Sequence, residues 1–167
     1  MKKLIVALAL VGSAITPVVA AESTKPADAE FAKKVAVDGM TEVKLGEMAE
    51  KKGTSEKVKE FAHHMVKDHG QANEELKSVA TRCGVKLPGT LDGEHQAVYD
   101  KLNKLSGTNF DKQYLEEMVS AHKKAVAALE GECKTGEGPI KDWASKTLPT
   151  IKEHLSEAEA DCKSTKS

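Results

Sequence analysis

Several features are missing from this 167-residue chain, and each absence removes a class of function. Positive charge is not in excess. The formal balance is −1, and setting aside the first twenty residues, with Lys2 and Lys3, leaves 23 basic against 26 acidic side chains. A nucleic-acid binder that relies on electrostatics carries a dense basic footprint, so no nucleic-acid partner is expected. There is no Cys-x-x-Cys pair, which argues against a thiol-redox catalyst, and no glycine-rich cofactor loop. The longest apolar run covers twelve residues, Leu4 to Ile15, well short of the ~20 that span a bilayer. Strand-like alternation is almost absent. With 40% hydrophobic and 31% charged residues, the chain is neither disordered by composition nor a polytopic membrane protein. Its length favours one domain.

The apolar run is informative in its own right. Lys2-Lys3 precedes it, and Pro17 and the small residues Ala20 and Ala21 follow it. A basic start, a short apolar core and small residues at its end describe a secretory signal peptide. Residues 1–20 are therefore read as a signal peptide, with cleavage at Ala20 or Ala21. The mature protein is expected in the periplasm or outside the cell, with no integral membrane segment left. Residues 21–26 form a polar leader, 27–163 the folded domain and 164–167 a tail.

Within the domain the punctuation is helical. One helix is predicted over 27–52, with Phe31, Val35, Leu45 and Ala49 along a stripe and Gly53 as its stop. Thr54 or Ser55 is expected to cap the next, which runs to about Cys83 with Val58, Phe61, Met65, Leu76 and Val79 inward. After the loop at 85–93 comes a short amphipathic helix with Val98, Leu102 and Leu105. Two further long helices are predicted over 109–134 and from Pro139 to about 163, the last interrupted by Pro149. Four helices of about 25 residues, each with one apolar stripe, pack most simply as an all-α four-helix bundle.

Polar residues interrupt those stripes. Asp38 and Glu42 fall on the inward face of the first long helix, His69 on the second, His122 on the third and His154 on the fourth. At ~1.5 Å rise per residue the five lie within about a turn of one level. A single polar cluster is expected, with Glu42, His69, His122 and His154 at its centre and Asp38 at its margin. Three imidazoles with one or two carboxylates suit Zn, Fe, Mn or Cu. The same residues also suit a buried hydrogen-bond network with no ligand. Glu60-x-x-His63 has the spacing of di-iron bundles but falls on the opposite side of its helix from His69, so both residues are expected to face solvent. His64 and His95 are read as surface residues.

An oxidising compartment makes a disulfide plausible, and Cys83, Cys133 and Cys162 all fall near helix ends. Simple up-down threading brings Cys83 to Cys162, whereas a long crossover between the second and third long helices brings it to Cys133. The connection, 84–108, is long enough to travel the bundle, which favours the crossover and a Cys83–Cys133 pair, with three free or intermolecular thiols as the alternative.

Several segments together resemble the DUF4142 family of exported bacterial proteins of unknown function. They are Glu42-Val43-Lys44-Leu45-Gly46, Met65-Val66-Lys67-Asp68-His69, Met118-Val119-x-x-His122 and Leu148-Pro149 with His154-Leu155. The resemblance implies a ferritin-like four-helix bundle with the crossover, and singles out Glu42, His69, His122 and His154. It implies no activity. A carboxylate-bridged di-iron centre is not expected, because Val66, Val119 and Ile151 stand three residues before the inward histidines, where glutamates are needed. Two functions follow: an exported bundle that binds a metal through its core, or a non-catalytic envelope or stress-related interaction protein whose polar cluster is structural. An enzyme is the less favoured reading, and oligomerisation is left open.

Overall fold

A computed structural model describes residues 24–164, which form five helices and, among the described residues, no strand. These are α1 (Pro26–Lys52), α2 (Glu56–Arg82), α3 (Gly93–Asn103), α4 (Gly107–Thr135) and α5 (Gly138–Ser164). The expected signal peptide and residues 21–23 of the polar leader lie outside the described residues. So does the tail, except Ser164, which still belongs to α5.

Local chemistry accounts for the helix ends. Pro26 sits in the first turn of α1, where its missing N–H costs nothing. Gly84, at φ +68, ends α2. Its N–H donates to the Thr81 carbonyl at 3.1 Å and that of Val85 to the Ala80 carbonyl at 2.8 Å, the bond pair of a Schellman turn. The start of α2 differs from expectation. Ser55 occupies the N-cap position, but its side chain makes no capping bond. The cap comes from another helix. Asp111 of α4, 3% exposed, accepts the Thr54 N–H at 3.0 Å, the Thr54 hydroxyl at 2.6 Å and the Ser55 N–H at 3.0 Å.

That cap fixes the topology. It places the start of α4 beside the α1–α2 turn, where Lys52 Nζ also donates to the Asn103 carbonyl at 2.6 Å. At the opposite end Asp28 accepts the Glu137 N–H at 3.1 Å, joining the start of α1 to the α4–α5 turn. Hence α2 and α4 run parallel, α1 and α5 run against them, and the connection carrying α3 returns along the whole bundle. This is the ferritin-like crossover. Cys83 and Cys133 share one end while Cys162 packs at the other, which removes the Cys83–Cys162 alternative. Cys83 and Cys133 are nevertheless free thiols, so the expected disulfide is not formed in this structure, and Cys133 Sγ accepts the Ser145 hydroxyl at 3.4 Å.

The core is divided along the bundle. Toward the α1–α2 turn lie Leu45, Phe61, Met65, Phe110, Tyr114 and Met118. Toward the far end lie Ala32, Leu76, Leu129, Ile140, Trp143 and Ile151. Full burial of each large side chain contributes roughly 1.5–3 kcal/mol. The two helices of the first pair approach closely at Gly46, where a Cβ would stand 2.8 Å from Val66 Cγ2 and 3.1 Å from the Ala62 carbonyl. Pro149 does not interrupt α5. It lies on the solvent side, as does Ser145, whose carbonyl loses its helical partner there. Between the two apolar clusters sits a polar layer.

Candidate metal centre

The layer is built from one face of each long helix. His69, His122 and His154 are 4%, 0% and 4% exposed, and Glu42 is 4% exposed. Phe61 closes one side with its ring edge-on to His154, centroids 6.3 Å apart. Eight residues separate Phe61 from His69 and Tyr114 from His122, so the aromatic layer lies about two turns along the same helix faces.

Each imidazole turns one nitrogen outward to an oxygen. His69 Nδ1 lies 3.0 Å from Glu42 Oε2, His122 Nδ1 lies 2.9 Å from the Met118 carbonyl, and His154 Nε2 lies 3.1 Å from Asp68 Oδ2. A carbonyl accepts and cannot donate. Carboxylates also only accept, and Glu42 is held in that form. Burial pushes its carboxyl up, but the adjacent His69 and His122, when protonated, together with the His69 hydrogen bond outweigh this and bring it down to about 2. The outer nitrogens of the three rings therefore carry the protons.

The inner nitrogens of neutral rings are then bare. His69 Nε2 stands 3.4 Å from His122 Nε2 and 3.3 Å from His154 Nδ1, and three ring nitrogens lie within 4.8 Å of one another. Burial lowers the pKa of His122 and of His154, with the neighbouring imidazoles acting in the same sense, which favours their neutral forms. Lone pairs facing one another at this distance are unfavourable without a cation between them. For metal–nitrogen bonds of ~2.0–2.1 Å at a tetrahedral angle, ligand nitrogens stand about 3.3–3.4 Å apart. Two of the three pairs have that spacing and the third lies within 4.8 Å, so the donor set suits a first-row divalent ion, and outer N–H groups bonded to carboxylate or carbonyl are the usual support for histidine ligands.

The sequence-predicted residues are distributed as follows. Glu42, His69, His122 and His154 come together. Glu42 stands behind His69 Nδ1, with its second oxygen 3.7 Å from His122 Nδ1, and so orients rings rather than joining the inner triad. Asp38 is turned away. It is paired with Lys34 at 2.7 Å and with His95 at 3.0 Å, and its side chain is 22% exposed. His95, read as a surface residue, is instead half-buried between Asp38 and Asp92. His63 and Glu60 face solvent as expected, and His64 is half-buried against Glu157 at 3.3 Å. Asp68 supports His154, a role its sequence position beside His69 only hinted at.

The family sequence model described as "Domain of unknown function (DUF4142)" matches residues 14–160. The chain belongs to the DUF4142 family. No curated protein matches it by sequence. Among solved structures it is similar to a DUF305 fragment from Deinococcus radiodurans, with TM-score 0.76 and 15% identity over 85% of this chain and 99% of that one. It is also similar to CopM in the Cu(II)-bound form, with TM-score 0.70 and 16% identity over 82% of this chain and 96% of that one. CopM in the Cu(I)-bound form gives TM-score 0.61 and 18% identity over 83% and 92%. At these identities the likeness establishes the helical-bundle fold. No helix among the described residues of this DUF4142 protein is long and apolar enough to cross a membrane.

Proposed function

We propose that this DUF4142 protein is an exported bundle that holds one first-row divalent cation, Cu(II) or Zn(II) in preference to Mg²⁺ or Ca²⁺, on His69, His122 and His154. The observation that carries the reading is the convergence of three imidazole nitrogens within 4.8 Å of one another, on rings whose other nitrogen lies against an oxygen. Imidazole sets of this kind suit Cu and Zn, whereas the all-oxygen sets that Mg²⁺ and Ca²⁺ require are absent from the triad. The Cu-bound CopM structures share the fold and lend copper weight as the first ion to try. The basic and apolar start of the chain supports export to the periplasm or beyond. Glu42, the Met118 carbonyl and Asp68 set the tautomers, and the apolar clusters on both sides exclude competing ligands.

A structural polar layer is the rival. There, a proton on His69 Nε2 takes the place of the ion and is shared with His122 Nε2 or His154 Nδ1. Elemental analysis of untagged protein purified without chelator, beside His122→Ala, separates the two. One equivalent of metal lost in the variant supports the centre. No metal in either sample, after dialysis against Cu²⁺, Zn²⁺, Mn²⁺ and anaerobic Fe²⁺, overturns it.

A further inference from the structure

A cavity of about 300 Å³ opens between α1, the first half of α3 and α4. Its inner wall includes Glu42 and Met118, the residues that hold the outer nitrogens of His69 and His122. We propose that this cavity is the portal by which a hydrated divalent cation enters and leaves the histidine centre, a reading that rests on the centre proposed above.

Size, charge and construction agree. Six waters at ~30 Å³ each occupy about 180 Å³, so an aquated ion fits before it sheds its shell. Asp38, Asp92, Glu94 and Glu117 line the cavity with Glu42 at its inner side, against Lys34, Lys124 and His95. That excess of carboxylates in a concave, low-dielectric surface concentrates cations. Leu102, near its C-terminal end, is the one buried residue of α3. Its N-terminal half, which walls the cavity, is held through His95, 3.0 Å from Asp38 Oδ1 and 2.7 Å from Asp92 Oδ1, and through Val98, which packs against the core. The first turn of α3, ahead of Val98, has no buried residue of its own and can yield by breaking the His95 contacts.

The α2/α5 side offers a competing route. There a smaller cavity, about 190 Å³, reaches His154 and Asp68. Lys146 stands in it, paired to Glu75 at 2.7 Å, and Asp68 already occupies His154 Nε2. Its carboxylates are Asp68, Glu75 and Glu153, three against the five of the larger cavity, so it draws a cation less strongly.

The test follows Cu²⁺ uptake and its removal by chelator in stopped flow, read through quenching of Trp143. This is the chain's single tryptophan, and it lines a small cavity together with His69. Ala121→Phe obstructs the portal, Glu94→Lys/Glu117→Lys reverses its charge, and Thr150→Phe obstructs the α2/α5 side. Ala121→Phe is expected to slow association and dissociation at least tenfold with stoichiometry and Kd unchanged. The double charge variant, which needs no repacking, is expected to slow association about tenfold at low salt and to approach wild type at high salt. Thr150→Phe is expected to match wild type. Wild-type rates in both portal variants, or slowing confined to Thr150→Phe, overturn the portal while leaving the centre intact. A wild-type protein that takes up no Cu²⁺ overturns both.

Discussion

Glu42 Oε2 stands 3.0 Å from His69 Nδ1, with both side chains within 5–6% of complete burial. This contact joins α1 to α2 and fixes which nitrogen of His69 faces the other two imidazoles. Replacing the carboxylate separates its two effects. Glu42→Gln keeps an acceptor and loses the charge, so the expected fall in metal affinity is about tenfold. Glu42→Leu loses both, and the fall approaches about a hundredfold. Without metal, Glu42→Leu is expected to be less stable than wild type, because it leaves the buried His69 Nδ1–H without its acceptor. Competition against a chelator and urea unfolding of the metal-free protein measure the two quantities. Unchanged affinity in both variants would show that Glu42 does not orient the ring.

Asp111 gives a prediction about stability alone. Its carboxylate takes three hydrogen bonds from Thr54 and Ser55 across the helix pairs. Asp111→Ala leaves those amides without a partner and is expected to cost about 2–3 kcal/mol in urea unfolding. Asp111→Asn, which keeps one acceptor oxygen, should lose less. Equal stability of all three proteins would contradict the role assigned to the contact.

His95 supplies the pH dependence. Burial lowers its pKa, but the hydrogen bonds to Asp92 and Asp38 outweigh this and raise it above the usual value. The imidazolium is thus favoured in the folded state. Its contribution is complete below the unfolded pKa of ~6.5 and is lost as pH rises through the higher folded value. Wild type is expected to melt above His95→Gln at pH 5.5, with the gap closing by pH 9. A gap that widens with pH would reverse the assignment.

Glu132 is 7% exposed, and its Oε1 has no hydrogen-bond partner. Burial raises its carboxyl pKa, and the charge of nearby Asp28 adds to the effect. Ionising it therefore costs folded-state free energy at neutral pH, while the protonated form at low pH does not. Glu132→Gln is expected to raise Tm at pH 7 and to bring no gain near pH 4. Thermal melts at the two pH values decide it.

Much of this was legible in the residue order. Helical periodicity and glycine stops predict all four long helices, because each carries a sustained apolar stripe and ends at a clear break, even where Pro149 falls inside the last. The inward set Glu42, His69, His122 and His154 follows from asking which polar side chains occupy apolar positions. Asp38 follows the same periodicity but sits one turn further toward the start of α1, where His95 of α3 reaches it. Where α3 docks depends on tertiary packing, which periodicity does not contain. The Asp111 cap is not legible for the same reason, since Thr54 and Asp111 are 57 residues apart. The tautomers of the histidines required the positions of the Met118 carbonyl and of Asp68, neither of which spacing supplies.

The polar layer between two greasy halves works as a vernier. Sliding any long helix by one turn, ~5.4 Å, would carry an imidazole, or for α1 the Glu42 carboxylate, into the Phe61–Tyr114 cluster or the Leu76–Trp143 cluster and leave a gap in the layer. An all-leucine interior would tolerate several such alignments with little difference between them. Here a single alignment satisfies every helix at once. An ion bound at mid-height would act as a rivet, coupling two half-bundles that could otherwise open separately.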